Sequence, residues 1–243
     1  MNISVVLAKS EIRQIRSLSQ KKFRDQTGLF VVEGEKLVRE ALYSSFEVVK
    51  ICRADEIGEE AMSRITMLSS PSPVLAVVRR PEPSGRKPEP SELSLALDSV
   101  RDPGNLGTII RIADWFGIKR IFASADTVEV FNPKVVQATM GAIFRVEVIY
   151  CDLAVTLSEA AGRGIPVYGT FLEGDNIYSA ELSPEGIVVM GSESNGISPE
   201  IGGTVTKRVH IPAFPEGSVT SESLNVAVAT AITCSEFRRR LAL

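Results

Sequence analysis

The 243-residue chain has one histidine, His210, and three cysteines, Cys52, Cys151 and Cys234, that stand far apart. A lone imidazole and no closely spaced thiols leave no zinc-type ligand set, so no metal is expected. An odd number of scattered cysteines gives no disulfide framework, and the expectation is a cytoplasmic protein. No apolar run approaches the ~18 residues of a membrane span. The patch Val5–Ala8 is followed by charge and lacks the longer apolar region of a signal peptide. There is no G-x-G-x-x-G after a first strand, which argues against an ordinary dinucleotide site. A phosphate-binding P-loop and a G-x-S-x-G nucleophile elbow are also missing.

What is present is the composition of an ordinary globular protein, 44% hydrophobic and 23% charged. The net charge of −3 hides an uneven distribution. Residues 1–90 hold 15 of the 27 Lys and Arg but only 12 of the 30 Asp and Glu, so the remainder is acidic. Basic charge is thickest at Lys9, Arg13, Arg16, Lys21, Lys22 and Arg24. Such a cluster suits phosphate contact, and suits a solvated helix face equally well. The stretch Arg79–Ser91 (RRPEPSGRKPEPS) cannot continue a helix or a central strand and reads as a linker. Before it, the pattern predicts a helix over Glu11–Arg24 and another over Glu35–Tyr43. Strands are predicted over Gly28–Glu33, Val48–Cys52 and Val74–Val78, making a small α/β sandwich. After it, strands and helices alternate, which favours a parallel sheet. Strands are predicted at Leu95–Val100, Arg120–Ala123, Phe144–Ile149, Ile165–Thr170, Ile187–Gly191 and Arg208–Ile211. Helices are predicted at Leu106–Phe116, Lys134–Met140, Leu153–Gly162 and Ser223–Arg240.

Three loops combine glycine, asparagine and charge. Asp98–Arg111 (DSVRDPGNLGTIIR) runs from a strand through a Pro-Gly turn into a helix, and Asn105 is accounted for there as an N-cap. Arg111 sits among apolar neighbours; it either snorkels or reaches a site at the sheet's carboxyl edge, where open α/β sheets bind ligands. In Ile187–Ile197 (IVVMGSESNGI), glycines bracket Glu193, either as a tight turn or to let backbone approach a ligand. The segment Ile211–Ala231 brings Ser223, Leu224 and Asn225 to the start of a helix, where Ser and Asn are natural caps.

Taken in order, the loops resemble the SpoU (TrmH-like) family of RNA ribose 2′-O-methyltransferases, in the SPOUT superfamily. Asn105, Gly107 and Arg111 match its Asn-x-Gly-x-x-x-Arg motif. Gly191, Glu193 and Gly196 match Gly-x-Glu-x-x-Gly, and Ile211, Pro212, Ser223, Leu224, Asn225 and Val226 match the third motif. Gly28–Leu42 is similar to the family's N-terminal substrate-binding domain. One departure is the stretch Ala213–Glu222, longer than in many relatives. The resemblance implies a ribosomal-protein-like RNA-binding α/β domain over residues 1–80, a linker over 81–91, and an α/β methyltransferase domain over 92–243. That second domain would hold a parallel sheet and a deep trefoil knot from about Tyr168 onward. It implies S-adenosylmethionine as methyl donor, held near Thr170, Gly191, Ile211 and Leu224. It implies a catalytic set of Arg111, Asn105, Glu193, Ser223 and Asn225 at a subunit interface, with Arg111 supplied by the other subunit and Glu193 orienting it. The implied partners are ribosomal or transfer RNA, the former favoured, and a second copy of the chain. The rival reading is a knotted RNA-binding protein without catalysis.

Overall fold

The structure, a computed structural model, describes residues 7–215 and 221–241. Part of the Val5–Ala8 patch and of the Ala213–Glu222 loop lies outside them. Contacts divide the chain into two compact units, Met1–Glu82 with Glu129–Arg145, and Pro83–Val128 with Val146–Leu243.

The first unit opens with α1 (Lys9–Ser17), α2 (Lys21–Thr27), β1 (Leu29–Glu33), α3 (Glu35–Tyr43) and β2 (Val48–Arg53). It continues through α4 (Ala54–Ile57), α5 (Glu59–Ile65) and β3 (Val74–Arg79). The second begins with β4 (Leu93–Leu97), α6 (Pro103–Trp115) and β5 (Arg120–Ala123). The chain then returns to the first unit for α7 (Pro133–Thr139). It finishes in the second with β6 (Glu147–Tyr150), α8 (Leu153–Gly162), β7 (Val167–Asn176), β8 (Gly186–Met190), α9 (Pro199–Gly202), β9 (Lys207–His210) and α10 (Val226–Arg239).

In the first unit β1 and β2 flank β3 in an antiparallel sheet. The predicted helix Glu11–Arg24 is two helices, and Arg24 is the cause. Its side chain is 2% exposed, and Nη1 donates to the carbonyls of Leu18 (2.9 Å) and Ser19 (3.0 Å). Those are carbonyls that the end of α1 leaves without helical partners. The same guanidinium is paired with Glu129, in the returning segment. Arg24 is therefore part of the core and not of a phosphate-facing surface. Phe131 adds to the attachment of this segment, its ring 4.7 Å from that of Phe30. The linker reading assigns 129–145 to the second module, whereas these contacts assign it to the first unit.

The second unit is a six-stranded parallel sheet in the order β6-β5-β4-β8-β7-β9. β4 (LSLAL) and β8 (GIVVM) are buried along their whole length, as central parallel strands are. Several predicted boundaries move, each for a local reason. β4 stops at Leu97, and α6 starts three residues before Leu106. Asp102 caps it through a 2.8 Å bond from the Asn105 amide N–H, with Pro103 at the first helical position. Asn105 is thus inside the helix and is not its cap. Ala142–Phe144 forms a short 3₁₀ turn, so β6 starts only at Glu147. β7 runs on to Asn176 because Phe171–Gly174 bulges out, leaving both Thr170 and Asp175 opposite Val209. α10 begins after Asn225, whose Oδ1 accepts from the N–H groups of Ala227 (3.0 Å) and Val228 (3.3 Å). The linker lies along α8, with Lys87 bonded to Glu159 at 2.6 Å.

The three cysteines are unpaired, and burial pushes the Cys234 thiol up to about 12, so it stays protonated. No helix among the described residues is long and apolar enough to cross a membrane. No group of His, Cys, Asp and Glu that could hold a metal occurs among them.

Arg24→Ala removes the hydrogen-bonded partner of Glu129, leaving it only Arg80 at 3.9 Å, and leaves two carbonyls unbonded. Urea unfolding should show a loss of about 3 kcal/mol, the scale for breaking a buried pair from one side. A loss below about 1 kcal/mol would mean that the pair does not hold the returning segment.

Candidate functional site

Parallel strands deliver their following loops to one edge of a sheet. Asp98–Asp102 leaves β4, Gly191–Ser198 leaves β8, and Ile211 directly follows β9. Thr170 of β7 lies opposite Val209 and donates through Oγ1 to the carbonyl of Val189 at 3.0 Å. The strand-end residues Thr170, Gly191 and Ile211 therefore share this edge, and Leu224 immediately precedes the cap of α10.

The three loops are joined by side-chain amides. Asn225 spends its oxygen on the first N–H groups of α10, which leaves its NH₂ to point outward. Nδ2 donates to Asn105 Oδ1 at 3.0 Å. The oxygen of Asn105 is then occupied, so its own NH₂ faces the next loop and donates to the Glu193 carboxylate. The order is directional: helix cap, Asn225, Asn105, Glu193. Residues 120 and 88 positions apart in the sequence meet at one amide.

The turn carrying Glu193 needs both of its glycines. Ser192 and Gly196 exchange backbone bonds of 3.1 and 2.9 Å. A Cβ on Gly191 would overlap the carbonyl carbon of Gly196 and the nitrogen of Ile197. Gly196 has φ +64 but open space around it. Beneath the first loop Asp126 accepts from Ser99 Oγ (2.7 Å), Ser124 Oγ (2.7 Å) and Arg101 (2.9 Å). These bonds, Arg101's first, hold its carboxyl down at about 2.

Two members of the expected set stand apart. Arg111 is exposed and does not bond the Glu193 of its own chain. Six residues beyond Asn105 place it about 9 Å along α6 and about 120° around it, and Asn105 already engages Glu193. Ser223 is exposed, with only its carbonyl engaged, by Ser221 Oγ at 3.4 Å. Two groups that frame the site were missed in the sequence. Asp102 was legible as an Asp before a Pro at a helix start; Asp126 carries no local signal, because its partners come from two loops. None of the motif residues lines the cavity of about 300 Å³ bounded by Met67, Leu68, Pro133, Lys134, Gln137 and Ala138.

Residues 92–235 match the SpoU rRNA methylase family, and residues 9–79 match the MRM3-like substrate-binding domain. The chain belongs to the SpoU rRNA methylase family. It is 31% identical to the 23S rRNA (guanosine(2553)-2′-O)-methyltransferase RlmP of Bacillus subtilis, over 94% of this chain and 96% of that one. A Porphyromonas gingivalis structure ascribed to the TrmH family superposes with a TM-score of 0.87 at 40% identity, covering 97% of this chain and 100% of the other. An S-adenosylmethionine-bound rRNA methyltransferase from Sinorhizobium meliloti superposes at 0.86 with 31% identity, covering 97% of each chain. The resemblance carried by the three motifs is thus borne out: this member of the family is an S-adenosylmethionine-dependent RNA ribose methyltransferase.

Gly191→Ala and Gly196→Ala separate crowding from backbone strain. Gly191→Ala should lower the melting temperature strongly, because backbone cannot yield as a flexible side chain does. Gly196→Ala should cost only about 1 kcal/mol, the left-handed penalty for an L-residue. Equal losses in thermal melts would contradict the closed turn.

Proposed function

We propose that this chain methylates a ribose 2′-hydroxyl of ribosomal RNA, and that it does so in the cytoplasm as a homodimer. The observation that carries the reading is the Asn225–Asn105–Glu193 relay, which joins all three family motifs at one sheet edge. The relatives named as rRNA enzymes favour ribosomal over transfer RNA, and unpaired cysteines suit a reducing compartment. In this reading residues 1–80 grip RNA, 81–91 connect, and 92–243 carry the reaction. The return of the chain from β9 past β7 to α10 suits a trefoil knot.

The donor fits the carboxyl edge of the sheet, where the ends of β7, β8 and β9 present their following backbone together. When bound, S-adenosylmethionine supplies an electrophilic methyl group on a sulfonium. Thr170, Gly191, Ile211 and Leu224 would hold it from the strand ends. Asn105, Glu193 and Asn225 fix the loops, and Ser223 steers the target phosphate or hydroxyl. Arg111 holds the 2′-oxygen and the neighbouring phosphate and stabilises the developing oxyanion. A guanidinium stays protonated, so Arg111 orients and the proton leaves to a phosphate oxygen or water.

Arg111 is set off along and around α6 from its own chain's relay, which favours its acting in the second protomer's site. Trp115, four residues on and on the same helix face, is 85% exposed; Val228 on the neighbouring α10 is half exposed. Such an apolar face suits a symmetric contact.

Arg111→Ala should lower kcat by about 10²-fold with donor binding intact, on the scale of losing one oxyanion-stabilising group. Arg111→Lys should be nearly as poor and should introduce no new ionisation into the pH profile. Mixing the severely slowed Arg111→Ala and Asn105→Ala protomers should restore about a quarter of wild-type activity, since about half the dimers then hold one intact site. No restoration would remove the shared site. Ribose methylation of rRNA, mapped with and without the gene, tests the target; an unchanged map overturns it.

A further inference from the structure

The Gly191–Gly196 turn has two feet, the end of β8 and the residue that opens α9. One residue outside the family motifs grips both. The backbone N–H of Asp98 donates to the carbonyl of Met190 at 2.9 Å, and its Oδ2 accepts from the N–H of Ser198 at 2.7 Å. Asp98 is 4% exposed. Its other oxygen accepts from Ser99 Oγ at 3.1 Å. A buried carboxylate is tolerated only when donors surround it, and the bond it makes to a backbone N–H is charge-assisted. The neighbouring backbone is held in an unusual shape to allow this. Ser99 has φ +60, rare for a residue with a Cβ, and it is tied down by Ser124 Oγ at 2.9 Å and by Asp126.

From this we infer that Asp98 is a positioning residue for methyl transfer: it braces the Glu193 turn against the loop that leads into α6 and Asn105. The inference rests on the proposed role of the Asn105–Glu193 contact. That contact is exposed and by itself gives little rigidity, whereas the Asp98 carboxylate beneath it is buried. The same two loops are thus joined twice, once by the buried brace and once by the working pair. Asp98 touches neither ribose nor donor in this scheme and acts through Asn105 and Glu193.

The test is a double-mutant cycle on the full-length enzyme with saturating RNA and donor. Asp98→Ala should lower kcat about tenfold or more, with the KM for RNA within about twofold of wild type. Asp98→Asn keeps an acceptor for the Ser198 N–H and should recover most of that loss. In an Asn105→Ala background, Asp98→Ala should change kcat by less than about twofold, because the contact it positions is already gone. Should Asp98→Ala fail to fold, Ser198→Pro removes the donor, with Ser198→Ala as the control for the hydroxyl that caps α9. The Ser198 φ of −62° already suits proline, and the Pro variant should show the same non-additivity. Losses that multiply in the double variant, a rise in RNA KM at unchanged kcat, or an Asn variant as poor as Ala would each overturn the inference. A wild-type rate for Asn105→Ala alone would instead overturn the catalytic reading on which it rests.

Discussion

The amide of Asn105 satisfies two neighbours that lie far away in the chain, and its polarity is decided at neither of them. The N-terminus of α10 needs an acceptor, Asn225 supplies its oxygen, and the direction of every later bond follows. Aspartate at position 105 would offer the same length but set one carboxylate against another. Alanine would sever the loops. Asparagine at both positions is the choice that lets a helix cap, a helix side chain and a turn carboxylate each find a complementary partner.

This relay is exposed, and hydrogen bonds in water contribute only about 1 kcal/mol each. Its geometry therefore has to be set from below. The parallel sheet does most of this by bringing the ends of β4, β8, β7 and β9 to one edge. The closed glycine turn and the buried carboxylate of Asp98 do the rest at the level of single residues. Thr170 adds a bond between β7 and β8 where the strands end. The result is a rigid floor carrying a small polar network.

How much of this was legible depended on the distance between partners. The second unit's strands were readable because they are short apolar runs between turn residues, and all six appear, Arg120–Ala123 unchanged and the other five with altered ends. The three-motif order named the family, while composition alone reached no further than a two-module α/β protein. Arg24 shows the limit. In the sequence it is one basic residue in a basic stretch; its burial depends on Glu129, 105 residues away. Asp98 reads as one more residue of the predicted strand Leu95–Val100, since Ser198 lies 100 positions on. The placement of Arg111 is likewise hidden in the sequence: the angle between two residues of one helix and the engagement of Glu193 with Asn105 keep the two charges of one chain apart.

The separation of Arg111 from Glu193 has a chemical consequence. A guanidinium locked to a carboxylate has part of its field cancelled and offers less to an oxyanion forming elsewhere. Arg111 is exposed and not bonded to the relay carboxylate, so its charge is strongly screened until something covers it. Binding of RNA over the sheet edge would exclude water, lower the local dielectric and strengthen that charge as the 2′-oxygen becomes negative. Glu193, already satisfied by Asn105, needs no counter-ion from the substrate and would not compete for Arg111. Division of labour between a hydrogen-bonded relay that fixes geometry and a separate cation that meets developing charge therefore suits the reaction.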